Sequence, residues 1–116
     1  MPNHDPHIVQ MFSALGDQTR LGVISRLATG PASVGEMAGD ARMALPSFMQ
    51  HLGILEACGL IKSEKVGRIR ICRLEPDALS RARDWIEQQR AVWVNKLDSL
   101  DDYLAEKMDE EEGTRK

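Results

Sequence analysis

The side chains that stand out for their chemistry are cations. Lys62, Lys65, Arg68, Arg70 and Arg73 fall within Leu60–Arg73, where only Glu64 opposes them, for a local net charge of +4. Cations at that density suit an extended anion such as a phosphate backbone. Lys65, Arg68 and Arg70 flank Gly67 and are the candidate phosphate contacts, with Arg42 upstream as a further one. Between them lies Leu45–Cys58, which carries Ser47, Met49, Gln50 and His51. Ser and Gln donate and accept hydrogen bonds, so they can meet base edges or phosphates in a groove; a histidine ring can do the same. Ala44–Leu74 is therefore the candidate surface for double-stranded DNA.

Other chemistries find little to work with. The histidines are His4, His7 and His51, and no Gly-rich phosphate loop is present. The acidic residues gather in Asp98–Glu112, net −7, away from any base or nucleophile. No enzyme is expected. His4, Asp5 and His7 form the one cluster with metal-ligand types, and a polar chain end accounts for it; neither metal nor cofactor is expected. Cys58 and Cys72 are too few for a disulfide framework. They read as small buried hydrophobes, with a redox switch as the alternative, since a simple hairpin sets Cys72 opposite about Ile61. The 116 residues carry a net charge of −3, so the chain is polarised rather than basic. No apolar run approaches a membrane span, and the first residues lack a basic and then an apolar region. No membrane association and a cytoplasmic location are expected.

The elements that must position these residues can be read from periodicity. Ile8, Met11, Phe12 and Leu15 mark one helical face that Gly16 ends. Asp17 caps a second helix, which Gly30-Pro31 stops. Ser33 and Glu36 form a capping box for a short helix, Ser33–Ala38, with Gly39 close behind. A further helix, Leu45–Cys58, opens with Pro46 in its first turn, shows Phe48, Leu52 and Leu55 as its apolar stripe, and meets Gly59 at its end. Leu60–Val66 and Arg68–Leu74 then alternate around Gly67 as a β-hairpin. A long helix, Asp77–Met108, follows. The expectation is a mainly α fold with a small β-hairpin: a winged helix-turn-helix domain over 1–108 and a polar, disordered tail over 109–116. The long helix exceeds what the rest can cover, so its stripe needs a partner, and the simplest is a second copy. The candidate dimer interface is Trp93, Leu97, Leu100 and Leu104, joined by Ile8, Met11 and Phe12.

Three segments carry a family resemblance over about residues 7–104. Phe12-Ser13-Ala14-Leu15-Gly16-Asp17-Gln18-Thr19-Arg20-Leu21 resembles the opening signature of ArsR-type (ArsR/SmtB) regulators, close to "ALADPTRL". His51–Ile61 resembles their "HLxxLxxAGLV" stretch, and Lys65–Leu74 resembles their wing, close to "REGRxxxYxL". The resemblance implies a winged helix-turn-helix dimer joined by its first and last helices. It implies a recognition helix starting near Ala44 and repression relieved by a metal or another signal. Two departures remove hydrogen-bonding groups: Ala44 where a Ser or Thr N-cap is common, and Met49 where a small hydroxyl residue is common. They leave open an interaction module that has lost DNA binding. Family metal sensors use cysteines on the helix before the turn or histidine pairs on the last helix; this chain has neither, which implies the branch without metal ligands. An unknown small-molecule or protein effector, a redox signal or no signal at all remain open.

Overall fold

The computed structural model describes residues 5–114. These fall into two units, one ending at Ala82 and one beginning at Arg83. In chain order the elements are α1 (Pro6–Leu15), α2 (Gln18–Leu27), β1 (Ala32–Ser33), α3 (Val34–Asp40), α4 (Leu45–Ala57), β2 (Ile61–Val66), β3 (Ile69–Leu74) and α5 (Pro76–Thr114). The first unit is a winged helix-turn-helix, with α3 and α4 as the helix pair and the β2–β3 hairpin as the wing.

Local chemistry sets the boundaries. Asp17 accepts a hydrogen bond from the Arg20 N–H at 3.0 Å and starts α2. Ser33 Oγ accepts from the Glu36 N–H at 3.1 Å, one half of the expected capping box. α3 runs to Asp40 rather than stopping before Gly39, because its buried face of Val34, Met37 and Ala38 outweighs the roughly 1 kcal/mol propensity cost of one glycine. α4 ends in a Schellman motif: Leu60 N–H reaches Leu55 C=O and Gly59 N–H reaches Glu56 C=O, each at 3.0 Å. Gly59 holds φ 77°, which a side chain would strain.

The hairpin closes through Gly67-Arg68, with Val66 opposite Ile69 and Gly67 at φ 65°. Its register sets Cys72 against Ser63 and Leu74 against Ile61, two residues away from the expected Cys72–Ile61 pairing. A third strand, which leaves no signal in the sequence, completes the sheet. β1 pairs with β3 through Ala32–Cys72 and Ser33–Ile71, giving the antiparallel order β1-β3-β2.

The core of this unit is apolar. Met11, Phe48, Leu55, Leu60, Ile61 and Cys72 are fully buried, and no buried polar or charged residue occurs among the described residues. Truncating Phe48 to Ala in such a core costs about 3–5 kcal/mol. Met11 and Ile8, expected at a dimer interface, are instead core residues at 0% and 8% exposure. Their helix packs against α2 and α4 of its own chain, which uses the i, i+3 face. Phe12 is half-buried.

In the second unit α5 continues to Thr114, so most of the segment expected to be a disordered tail is helical. No glycine or proline interrupts the chain from Asp77 to Glu112, and Lys107 pairs with Glu110 at 3.7 Å one turn on. Trp93, Leu97, Leu100, Leu104 and Met108 recur at four, three, four and four residues and are all exposed, Trp93 at 64%.

Candidate nucleic-acid interface

α4 divides cleanly. Phe48, Leu52 and Leu55 point into the core, whereas Ser47, Met49 and Gln50 stand exposed. His51 does not join them. It lies three residues after Phe48 and four before Leu55, so helical geometry sets it on the flank of the buried stripe. Its Nδ1 is 3.1 Å from an Arg20 guanidinium nitrogen and 3.6 Å from Asp17 Oδ2. Arg20 Nε also donates to Ala14 C=O at 2.7 Å, so one guanidinium ties both the end of α1 and α4 to the start of α2. The hydrogen bond from the Arg20 backbone N–H holds the Asp17 carboxyl below its ordinary value, helped by the Arg20 and His51 charges and opposed by partial burial. His51 therefore acts on the fold; the expectation that it projects from the free face is corrected.

Arg42 occupies the turn between α3 and α4. It has φ 52°, the left-handed region that non-glycine residues avoid. The backbone around it closes a second Schellman motif: Met43 N–H to Ala38 C=O at 3.2 Å and Arg42 N–H to Gly39 C=O at 3.1 Å. The Arg42 side chain is exposed and forms no ion pair or hydrogen bond among the described residues.

The wing sorts the four cations on its strands by face, and Arg68 sits in the turn. Residues opposite each other across strands share a face, so Lys62 and Arg73 lie on one side, Lys65 and Arg70 on the other. Glu75 sits near both members of the first pair, at 3.8 Å from Lys62 and 4.0 Å from Arg73. The second pair forms no ion pair with an acid of the wing among the described residues. Lys65 and Arg70 are directly opposed like charges, an arrangement that costs stability in the free protein. Lys65 and Arg68 are exposed and without polar partners among the described residues.

Arg70 is held differently. Its guanidinium donates to Ser63 Oγ at 3.0 Å, and Ser63 Oγ donates to Glu56 Oε1 at 2.7 Å. The same carboxylate oxygen accepts from the Ser63 backbone N–H at 3.2 Å. These residues border a cleft of 280 Å³ between α4 and the wing, with Met49 on one wall and Leu52, Ile61 and Cys72 beneath. Burial raises the Cys72 thiol above its ordinary value, and the Glu56 charge adds to this against Arg70. Both cysteines are free and buried. Glu56 and Ser63 are not singled out by residue type; their only signal in the sequence is the seven-residue spacing 56, 63, 70, which has meaning once the hairpin register is known.

Asp5 caps α1 by accepting from the His7 N–H at 2.9 Å, while His4 lies outside the described residues. Among the described residues no three His, Cys, Asp or Glu side chains converge to hold a metal, and no helix is long and apolar enough to cross a membrane.

Comparison with known proteins gives the family of the chain. The family model described as bacterial regulatory protein, arsR family, matches residues 17–63, the span from α2 into the wing. The HTH-type transcriptional regulator Rv2034 of Mycobacterium tuberculosis is 38% identical over 86 residues, covering 74% of this chain and 78% of that protein. The arsenical resistance operon repressor of Escherichia coli is 32% identical over 93 residues, covering 79% and 80%. A crystal structure of an ArsR family transcriptional regulator superposes with a TM-score of 0.73 at 40% identity, over 80% of this chain and 96% of that one. With an exposed α4 face, a cationic wing and these relatives, the chain belongs to the ArsR family and is a DNA-binding transcriptional regulator, not an enzyme.

Proposed function

We propose that the protein represses transcription as a homodimer on a pseudo-palindromic operator and acts in the cytoplasm. Each α4 enters a major groove with Ser47, Gln50 and Met49 facing the bases, and each wing lies along the phosphates. The observation that carries this reading is the opposed pair Lys65 and Arg70, which no acid of the wing neutralises and whose repulsion a phosphate would relieve. Arg68 at the tip and Arg42 in the turn extend the same cationic track. The exposed stripe of Trp93, Leu97, Leu100 and Leu104 supports pairing with a second copy. Phe12 is the residue of α1 that fits this role, since Ile8 and Met11 are committed to the core.

The test is the salt dependence of DNA binding. Lys65→Ala, Arg68→Ala and Arg70→Ala combined should weaken binding to any duplex and flatten the slope of log affinity on log salt by about 0.9 for each phosphate that is no longer neutralised. An unchanged slope refutes the wing assignment. Leu97→Asp with Leu100→Asp should yield a monomer by sedimentation and lose tight operator binding; a dimer that persists refutes the interface. The effector, whether a small molecule or a protein, is a separate question from both tests. The buried state of Cys58 and Cys72 argues against a redox signal through them.

A further inference from the structure

Of the three cations on the wing's side of the interface, one is treated unlike the others. Lys65 and Arg68 make no polar contact among the described residues, but Arg70 is tethered, and its tether runs back to α4. A serine hydroxyl has a single proton to give. In Ser63 it goes to Glu56 Oε1 at 2.7 Å, which turns the oxygen lone pairs toward the Arg70 guanidinium at 3.0 Å. The bond from the Ser63 backbone N–H to the same carboxylate at 3.2 Å fixes the angle of the relay. Only one guanidinium nitrogen is used in this way, so the rest of the fork stays free for a bidentate partner.

We propose that Ser63 and Glu56 are positioning residues for DNA binding, holding the Arg70 guanidinium at the cleft between α4 and the wing where it meets a backbone phosphate. The proposal rests on the reading of Lys65, Arg68 and Arg70 as phosphate contacts. A long cationic side chain loses rotamer freedom when it binds, and a side chain already held loses less. The relay also links wing to helix: Glu56 lies in the last turn of α4 and Ser63 on β2, so the guanidinium keeps its distance from the bases that α4 reads. Glu56 itself repels phosphate, so a carboxylate at this place makes sense for binding only through what it orients.

The experiment is a fluorescence-anisotropy titration of the full chain with a labelled mixed-sequence duplex at low and rising salt, alongside thermal unfolding. Arg70→Ala comes first; if it leaves affinity and salt slope unchanged, the wing reading itself fails. Given an effect there, Ser63→Ala should weaken binding about fivefold, the order expected when one rotamer-rich side chain must be immobilised on binding. Ser63→Thr, which keeps the hydroxyl, should bind as the parent does. In an Arg70→Ala background, Ser63→Ala should add nothing. For the carboxylate, Glu56→Gln and Glu56→Leu remove the same charge and differ in the acceptor oxygen, so the Gln variant should bind several-fold more tightly. A Ser63→Ala protein that binds normally, an effect that persists without Arg70, or equal affinities for the two Glu56 variants would each overturn the proposal. A weaker Ser63→Ala protein counts in its favour only with an unchanged unfolding midpoint.

Discussion

The two ends of α4 are built from the same backbone motif and finished in opposite ways. Both the turn before it and the turn after it close with the paired hydrogen bonds of a Schellman motif. After α4 the left-handed position is Gly59, the next residue is the fully buried Leu60, and Glu56 braces the wing. Before α4 the left-handed position is Arg42, and Ala44 at the N-cap supplies no side-chain hydrogen bond. Stability is concentrated where the helix meets the core and withheld where it faces outward. A helix N-terminus without a cap keeps N–H groups open, and an arginine at a left-handed backbone angle costs stability that a glycine there would not. The contrast teaches that α4 is anchored from its C-terminal end and presented from its N-terminal end.

The contrast can be broken by exchanging its parts. The largest effect is expected at the finished end. Gly59→Val should lower the unfolding free energy by about 2 kcal/mol in denaturant titration, because a β-branched residue is forced into the left-handed region. At the unfinished end the sign reverses. Arg42→Gly should raise stability by about 1 kcal/mol while weakening DNA binding several-fold, a pairing of effects that a purely structural arginine cannot give. Ala44→Ser should also raise stability, by about 1 kcal/mol or less, by capping the open N-terminus. If it does not, the N-cap is satisfied by other means and the asymmetry between the two ends shrinks. The smallest effect is acid-limited. The Asp17 carboxyl titrates below its ordinary value of 3.8, so the stability it lends is complete above that value and is lost as pH falls through the lower folded one. Asp17→Asn should flatten this acid limb in pH-dependent unfolding and leave neutral-pH DNA binding as it was.

Much of the fold is legible in the sequence alone. Helix ends announce themselves through Asp17, Ser33 and Gly59, because caps are local chemistry that few residue types can supply. The wing tip at Gly67 follows for the same reason. What escapes is non-local. β1 is two residues long, too short for alternation to show, and exists only through its pairing with β3. Ile8 and Met11 display a correct helical face, yet periodicity says that a face is buried and not by what; their own α2 and α4 cover it. His51 reads wrongly as a free-face residue because its partners, Asp17 and Arg20, lie more than thirty residues away. The Glu56–Ser63–Arg70 relay depends on a hairpin register two residues from the one expected. For the candidate site, residue types mark the cations, while tertiary pairing decides which of them sit beside an acid and which do not.

The exposed stripe of α5 has a practical side. The chain contains two tryptophans, Trp85 and Trp93, and both lie on that helix; none sits on α4 or the wing. Intrinsic emission is therefore blind to the surface proposed to read DNA and reports the long helix alone. With Trp93 at 64% exposure, its spectrum starts red-shifted, and covering the stripe moves it to the blue without any label. Self-association can be read optically from the native protein on dilution, separately from occupancy of the operator.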